Sequence, residues 1–220
     1  MKLDELHTRV WRGRGASATH AVIATGFPEL DQHLPGGGWP TGAIIEVFVE
    51  GYGIGELGLL MPALTSLTHT DPLKPKKWVA WIAPPLVPYA PALQQYGVNI
   101  DRLLMIHPTA GNKNCLWAIE QVVRSGSSSG VLAWVAAADD VILRRLQLAA
   151  EDQGCWTLLF RPPSARQQRS PAALRILLSH HATATRIQII KCRGGRPGVV
   201  DITQLSHRFG ASESGAGASS

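Results

Sequence analysis

A chain of 220 residues that is 45% hydrophobic and 17% charged has the material for one domain with a substantial core, which excludes a fibrous or largely disordered protein. Its net charge of +5 and pI near 9.4 point toward an acidic partner, either nucleic acid or a protein surface. Cys115, Cys155 and Cys192 are odd in number and form no Cys-x-x-Cys or Cys/His cluster, so neither zinc nor a disulfide framework is indicated. The apolar runs fall short of a membrane span. The charged opening Met1 to His7 is unlike a secretory signal, and a cytoplasmic location is expected.

In chain order, residues 3–10 suit a short helix, broken by Arg12-Gly-Arg-Gly-Ala-Ser17, and residues 1–24 read as an N-terminal arm. Residues 21–24 suit a short strand. Thr25-Gly-Phe-Pro-Glu-Leu-Asp31 and Leu34-Pro-Gly-Gly-Gly-Trp-Pro40 then enclose a helical turn in punctuation. Residues 43–48 form an apolar strand that runs into Gly51-Tyr-Gly-Ile-Gly55. A helix is expected over 56–67, with Leu57, Leu60, Met61 and Leu64 inward and with Pro62 starting or bending it. Strands at 78–83, 103–106, 131–135 and 156–160 alternate with helices at 88–96, 114–125 and 139–151. Residues 127–130 read as the connection before the third of those strands. Asp139 and Asp140 suit the positive end of a helix dipole.

That alternation predicts an α/β fold with a mostly parallel central sheet and helices on both faces. Residues 174–178 and 186–191 are spaced as a hairpin with His180-His181 near its turn, so antiparallel strands should close the sheet at the C-terminal end. Adjacent strand histidines point to opposite faces, which favours a solvated pair over a metal site. The core is expected over 25–209, followed by a disordered tail at 210–220. Arg161, Arg166, Arg169, Arg175, Arg186, Lys191, Arg193, Arg196 and Arg208 concentrate positive charge in the last third, and read as a solvated basic face.

The chemistry centres on the glycine turn. A phosphate-cradling loop needs Gly-x-x-x-x-Gly-Lys-Ser/Thr, because backbone N–H groups wrap the anion, lysine reaches the terminal phosphates and the hydroxyl ligates magnesium. Here Gly51, Gly53 and Gly55 keep the frame, but the lysine position is Glu56 and the hydroxyl position is Leu57. Shifting the register by one restores neither group.

Thr25-Gly26 through Asp31, Gly37-Gly-Trp-Pro-x-Gly42-x-Ile-Ile-Glu-Val47, Gly97-Val-Asn-Ile-Asp-Arg-Leu-Leu104, Arg124-Ser-Gly126 and Thr185-Arg-Ile-Gln-Ile-Ile-Lys191 resemble, in collinear order, the core of the RecA recombinases. This implies a RecA-like P-loop fold. Val10-Trp-Arg-Gly13, Gly53-Ile-Gly-Glu-Leu-Gly-Leu-Leu-Met-Pro-Ala-Leu64, Trp81-Ile-Ala-Pro-Pro85 and Tyr89-Ala-Pro-Ala-Leu93 are similar to the ImuA family of translesion-synthesis accessory proteins. SulA, the SOS division inhibitor, shares a weaker version of these blocks. Aligned on the RecA pattern, the glutamate that polarises the attacking water falls at Pro85, and the strand-end aspartate that supports magnesium falls at Trp134.

With three parts of phosphoryl transfer absent together, the resemblance implies a pseudo-ATPase with no catalytic residues, cofactor or metal. Lys191 and Arg193 match basic positions that in RecA reach a neighbouring protomer's nucleotide. Together with Trp11, Arg12 and Arg196 they are candidate contacts for a partner or DNA; a basic edge strand resisting aggregation is the other reading of Lys191 and Arg193. The implied function is a non-enzymatic adaptor in SOS mutagenesis. Its implied partners are an ImuB-type inactive Y-family polymerase, RecA itself and an error-prone polymerase alpha subunit, with self-association and weak DNA contact as further expectations. The alternative is a SulA-like inhibitor of FtsZ, and a third reading is a residual nucleotide switch. Gln204-Leu-Ser-His-Arg-Phe209 is loosely similar to sliding-clamp peptides, with His207 where an aliphatic residue is usual; packing of Leu205 and Phe209 on the domain is the simpler reading.

Overall fold

The computed structural model describes residues 21–52, 55–69, 76–109, 111–181 and 184–203. The helix expected at 3–10, Trp11, Arg12, Gly53, the clamp-like segment and the tail lie outside these residues.

β1 (Val22–Ile23) and β2 (Trp39–Pro40) form a small antiparallel pair, with α1 (Pro28–Asp31) between them. Local hydrogen bonds close this entry segment. Thr25 is fully buried; its hydroxyl accepts from Phe27 N at 3.1 Å, and its N–H donates to Asp31 Oδ1 at 3.0 Å. Gly26, at φ +83°, lies against Pro62, where a Cβ would come within 2.5 Å of the ring. The Thr-Gly pair thus fits the entry segment against the next helix.

The main sheet comprises β3 (Ala43–Val49), β4 (Trp78–Ile82), β5 (Leu103–Ile106), β6 (Ser128–Trp134), β7 (Trp156–Arg161), β8 (Leu174–His181), β9 (Ala184–Cys192) and β10 (Gly198–Ile202). Their spatial order is β10-β9-β8-β3-β7-β6-β4-β5. Pairing is parallel from β8 through β5, and β9 runs antiparallel to both its neighbours. The fold is therefore α/β with a mostly parallel sheet and antiparallel strands at one end. β3 sits in the middle and is buried along its whole length, as a strand covered on both faces must be.

Alternation along the strands sorts side chains into two cores. Ile45, Val47, Trp81, Leu132, Trp134, Leu158 and Phe160 pack beneath α2 (Met61–Thr68) and α3 (Ala90–Gln95). Ile44, Ala80, Ile82, Val131, Ala133 and Leu159 pack beneath α4 (Asn112–Arg124) and α5 (Asp140–Gln153). Gln147 of α5, 4% exposed, accepts from Ile44 N at 3.0 Å and so satisfies a strand donor inside the second core.

Several boundaries differ from the sequence reading. Pro62 starts the helix as expected, but the helix begins at Met61 rather than 56, after a 3₁₀ turn over Gly58–Leu60. β6 begins at Ser128, so the serine-rich stretch that reads as a connection is strand; its central place in a parallel sheet overrides the weak strand propensity of serine and glycine. Asp139 is the N-cap of α5 and accepts from Ile142 N at 2.8 Å. His180-His181 lies at the end of β8, not in a loop, and His180 is exposed, as a solvated histidine should be. β10, which follows the turn at Gly194-Gly195, is an additional strand. It makes β10 the outer strand, so Lys191 is on β9, one strand in from the edge, rather than on an edge strand.

Candidate functional site

The carboxyl ends of the parallel strands form the rim where open α/β sheets place ligands. β3 delivers the glycine turn there. Gly55 has φ +91° with nothing within 4 Å of where a Cβ would stand, so glycine is required by backbone conformation and not by space. Beyond it the chain closes on itself. Gly58 N donates to Gly55 O and Leu60 N to Leu57 O, each at 2.9 Å, and Met61 N donates to Gly58 O. These bonds wind the chain into the 3₁₀ turn that leads into α2. Leu57 packs on the core beneath α2, and Glu56 is 6% exposed. Gly51 is half-buried and Tyr52 is 48% exposed on the same turn.

The two other positions matter equally. Trp134, where the RecA pattern has an aspartate, ends β6 and is 8% exposed. It stacks on Phe160 with ring centroids 4.8 Å apart and tilts against Trp81 at 5.8 Å. The indole N–H groups of Trp39, Trp81, Trp134 and Trp156 are buried without a protein acceptor among the described residues. An aromatic block of this kind supplies no ligand for a hard cation, which takes oxygen donors. Pro85 is exposed, in the loop after β4. That loop starts from strain: Ala83 has φ +53°, although it precedes a proline and carries a side chain.

Opposite this block, on the α4/α5 side of the sheet, lies a feature the sequence reading missed. Glu46, in mid β3, is fully buried, and its two carboxylate oxygens accept from Arg161 Nη1 and, at 2.7 Å, from Arg175 Nε. Arg161 is 0% and Arg175 7% exposed. Arg161 Nη2 also donates to Ala138 O at 3.2 Å and Gln168 Oε1 at 2.8 Å; Arg175 Nη2 reaches Ala165 O at 3.2 Å, and its guanidinium lies 5.0 Å from the centre of the Phe48 ring. Both arginines therefore leave the solvated basic face to which the sequence assigned them. The available signal was Glu46 itself, a carboxylate within a wholly apolar strand, which demands buried partners.

An open cleft of about 620 Å³ borders this triad, lined by Asn112, Asp139, Asp140, Gln168 and Arg169 among others. Most of its polar groups are already engaged. Asn112 bonds Ala137 through both side-chain atoms, Asp139 caps α5, and Asp140 pairs with Arg144 at 2.9 Å.

Lys191 and Arg193 lie elsewhere. Lys191 and Cys192 align with Arg175 and Leu174 at the beginning of β8, toward the amino end of the parallel strands and away from the glycine turn. Lys191 Nζ donates to Ser170 O at 2.8 Å, and burial, followed by repulsion from Arg193 and Arg175, lowers its pKa. Arg193 contacts Glu151 at 3.4 Å and Pro171 O at 3.1 Å, and Arg196 is exposed. Within one chain Lys191 and Arg193 thus stand apart from the described part of the glycine turn.

Among the described residues no group of three or more His, Cys, Asp or Glu side chains is placed to hold a metal, and no helix is long and apolar enough to cross a membrane. Comparison with known proteins finds no matching family model and no matching curated protein.

Proposed function

We propose that the chain is a degenerate RecA-like protein, similar to ImuA, that acts without catalysis as an adaptor in error-prone translesion synthesis. Its partner is an ImuB-type, polymerase-like protein, with RecA and an error-prone polymerase alpha subunit in the wider complex. The observation that carries this reading is the stacking of Trp134 on Phe160, since the RecA resemblance would put a magnesium-supporting aspartate at Trp134. Around it, Glu56 and Leu57 stand where the RecA pattern has the lysine and hydroxyl that handle phosphate, and Leu57 packs on the core. A glycine turn leaving the central strand of a mostly parallel sheet supports the RecA-like assignment.

The experiment is twofold. Purified protein should show no saturable ATP binding by calorimetry and no ATP turnover above buffer, and it should capture its ImuB-type partner equally with and without nucleotide. Turnover abolished by replacing Glu56, or no capture under any nucleotide condition, would remove the reading.

A further inference from the structure

From Trp78 to Ile100 the chain contains no charged residue. Part of this stretch is buried strand, but its middle is not. Leu86 is 67%, Val87 82% and Tyr89 74% exposed, three large apolar side chains within four positions. Isolated exposed apolar residues need no explanation, whereas a contiguous, uncharged group marks an interaction surface.

The loop that carries them is held at both ends. On the β4 side, Ala83 N donates to Ile106 O at 2.9 Å, and Pro84 is buried. On the far side, α3 is anchored by buried Leu93 and by Thr65 Oγ1 donating to Tyr96 O at 2.8 Å. Between these anchors, Pro85 and Pro88 fix their own φ and confine the residues before them to extended conformations. Pro85-Leu-Val-Pro88 has the spacing of polyproline segments that dock in aromatic-lined grooves. A surface already set in its bound shape loses little entropy on docking, and tyrosine is among the residues that most often dominate interface energetics.

The geometry points to residues 85–89 as the docking element for a protein partner that presents an apolar groove lined by aromatic rings. This rests on the adaptor reading and locates its contact at the carboxyl rim, away from Lys191 and Arg193. The chemistry disfavours an anionic membrane or a nucleic acid as the occupant, because the segment has no lysine or arginine to meet phosphate. Contact through uncharged groups should also be nearly indifferent to salt.

The test measures binding of the full chain to the ImuB-type partner by calorimetry, comparing wild type with the combined Leu86→Ser, Val87→Ser, Tyr89→Ser variant and with Lys191→Ala, Arg193→Ala as a control. All three loop side chains are exposed, so the variant should melt within a few degrees of wild type. Its affinity should fall about 100-fold or more, as loss of several dominant contacts does. The control should bind like wild type, and wild-type affinity should change less than about threefold between low and high salt. A loop variant that binds as well as wild type, or a steep salt dependence, overturns the docking element and leaves the adaptor standing. No wild-type binding overturns both. Sedimentation with phosphatidylserine vesicles that the loop substitutions abolish would assign the loop to a membrane and also overturn the proposal.

Discussion

β3, β6 and β7 separate two interiors of opposite character. Beneath α2, Trp81, Trp134 and Phe160 form a block with no charge, whereas beneath α5 the facing side of the same sheet holds Glu46 between Arg161 and Arg175. Phe160 and Arg161 are consecutive, so a single peptide step separates stacked rings from a buried ion network. The buried Glu46 network serves the domain's own architecture, on the face away from the α2 core. On the α2 side, the ends of β6 and β7 carry stacked rings instead.

The sharpest way to break this contrast is Glu46→Ala. Two buried guanidiniums would lose their carboxylate, and chemical denaturation should show a loss of about 5 kcal/mol, or failure to fold. Replacing Glu46, Arg161 and Arg175 together by Leu, Met and Leu should recover most of that loss, because well-packed apolar groups replace buried ion networks at little cost. If the single and triple variants are equally unstable, the network has a role beyond mutual neutralisation. Next in size is Trp134→Ala, expected to cost about 3 kcal/mol in the same assay, with Trp134→Phe retaining most of the stack and losing about 1 kcal/mol.

Smaller effects come from α5. Asp139→Ala removes the N-cap bond to Ile142 N and should cost about 1 kcal/mol by thermal unfolding, while Asp139→Asn should be nearly silent. The smallest is a pH effect at the α4–α5 seam. Glu120 bonds Arg145 Nη2 and, at 3.0 Å, Arg124 Nε, and the Arg145 hydrogen bond is the main cause holding its carboxyl below the usual glutamate value. A depressed folded-state pKa gives stability that is fully present above the unfolded value and is lost as pH falls through the folded one. Acid titration of wild type against Glu120→Gln should therefore show the two converging at low pH, with the gap above it small because both arginines are about half exposed.

The architecture was legible because its signals are periodic. Apolar runs at 43–48, 78–83 and 156–160 bounded by turn residues lead directly to a covered parallel sheet. Positions governed by the sheet as a whole were harder to read. Ser128 and Ser129 belong to β6 because Trp78 of β4 pairs with Ser128 before β7 joins at Gly130, and β10 depends on β9 as a template. In the candidate site, the sequence shows Glu56 and Leu57 after the glycines, where a phosphate loop would need lysine and a hydroxyl. That Trp134 stacks on Phe160 could not, since the two are brought together by strand register. Arg161 and Arg175 misled because a charge count has no knowledge of strand faces: each alternates inward toward Glu46 from a neighbouring strand.

The reversal at β9 has a practical side. Because β9 alone runs against its neighbours in the sheet, β10 points the same way as β3, and Ile202, level with His180, finishes beyond Val49 at the height from which the glycine turn and the 85–89 loop also emerge. A handle inserted directly after residue 203 would depart from that crowded end, which makes such an insertion a steric probe of whatever docks on the 85–89 loop.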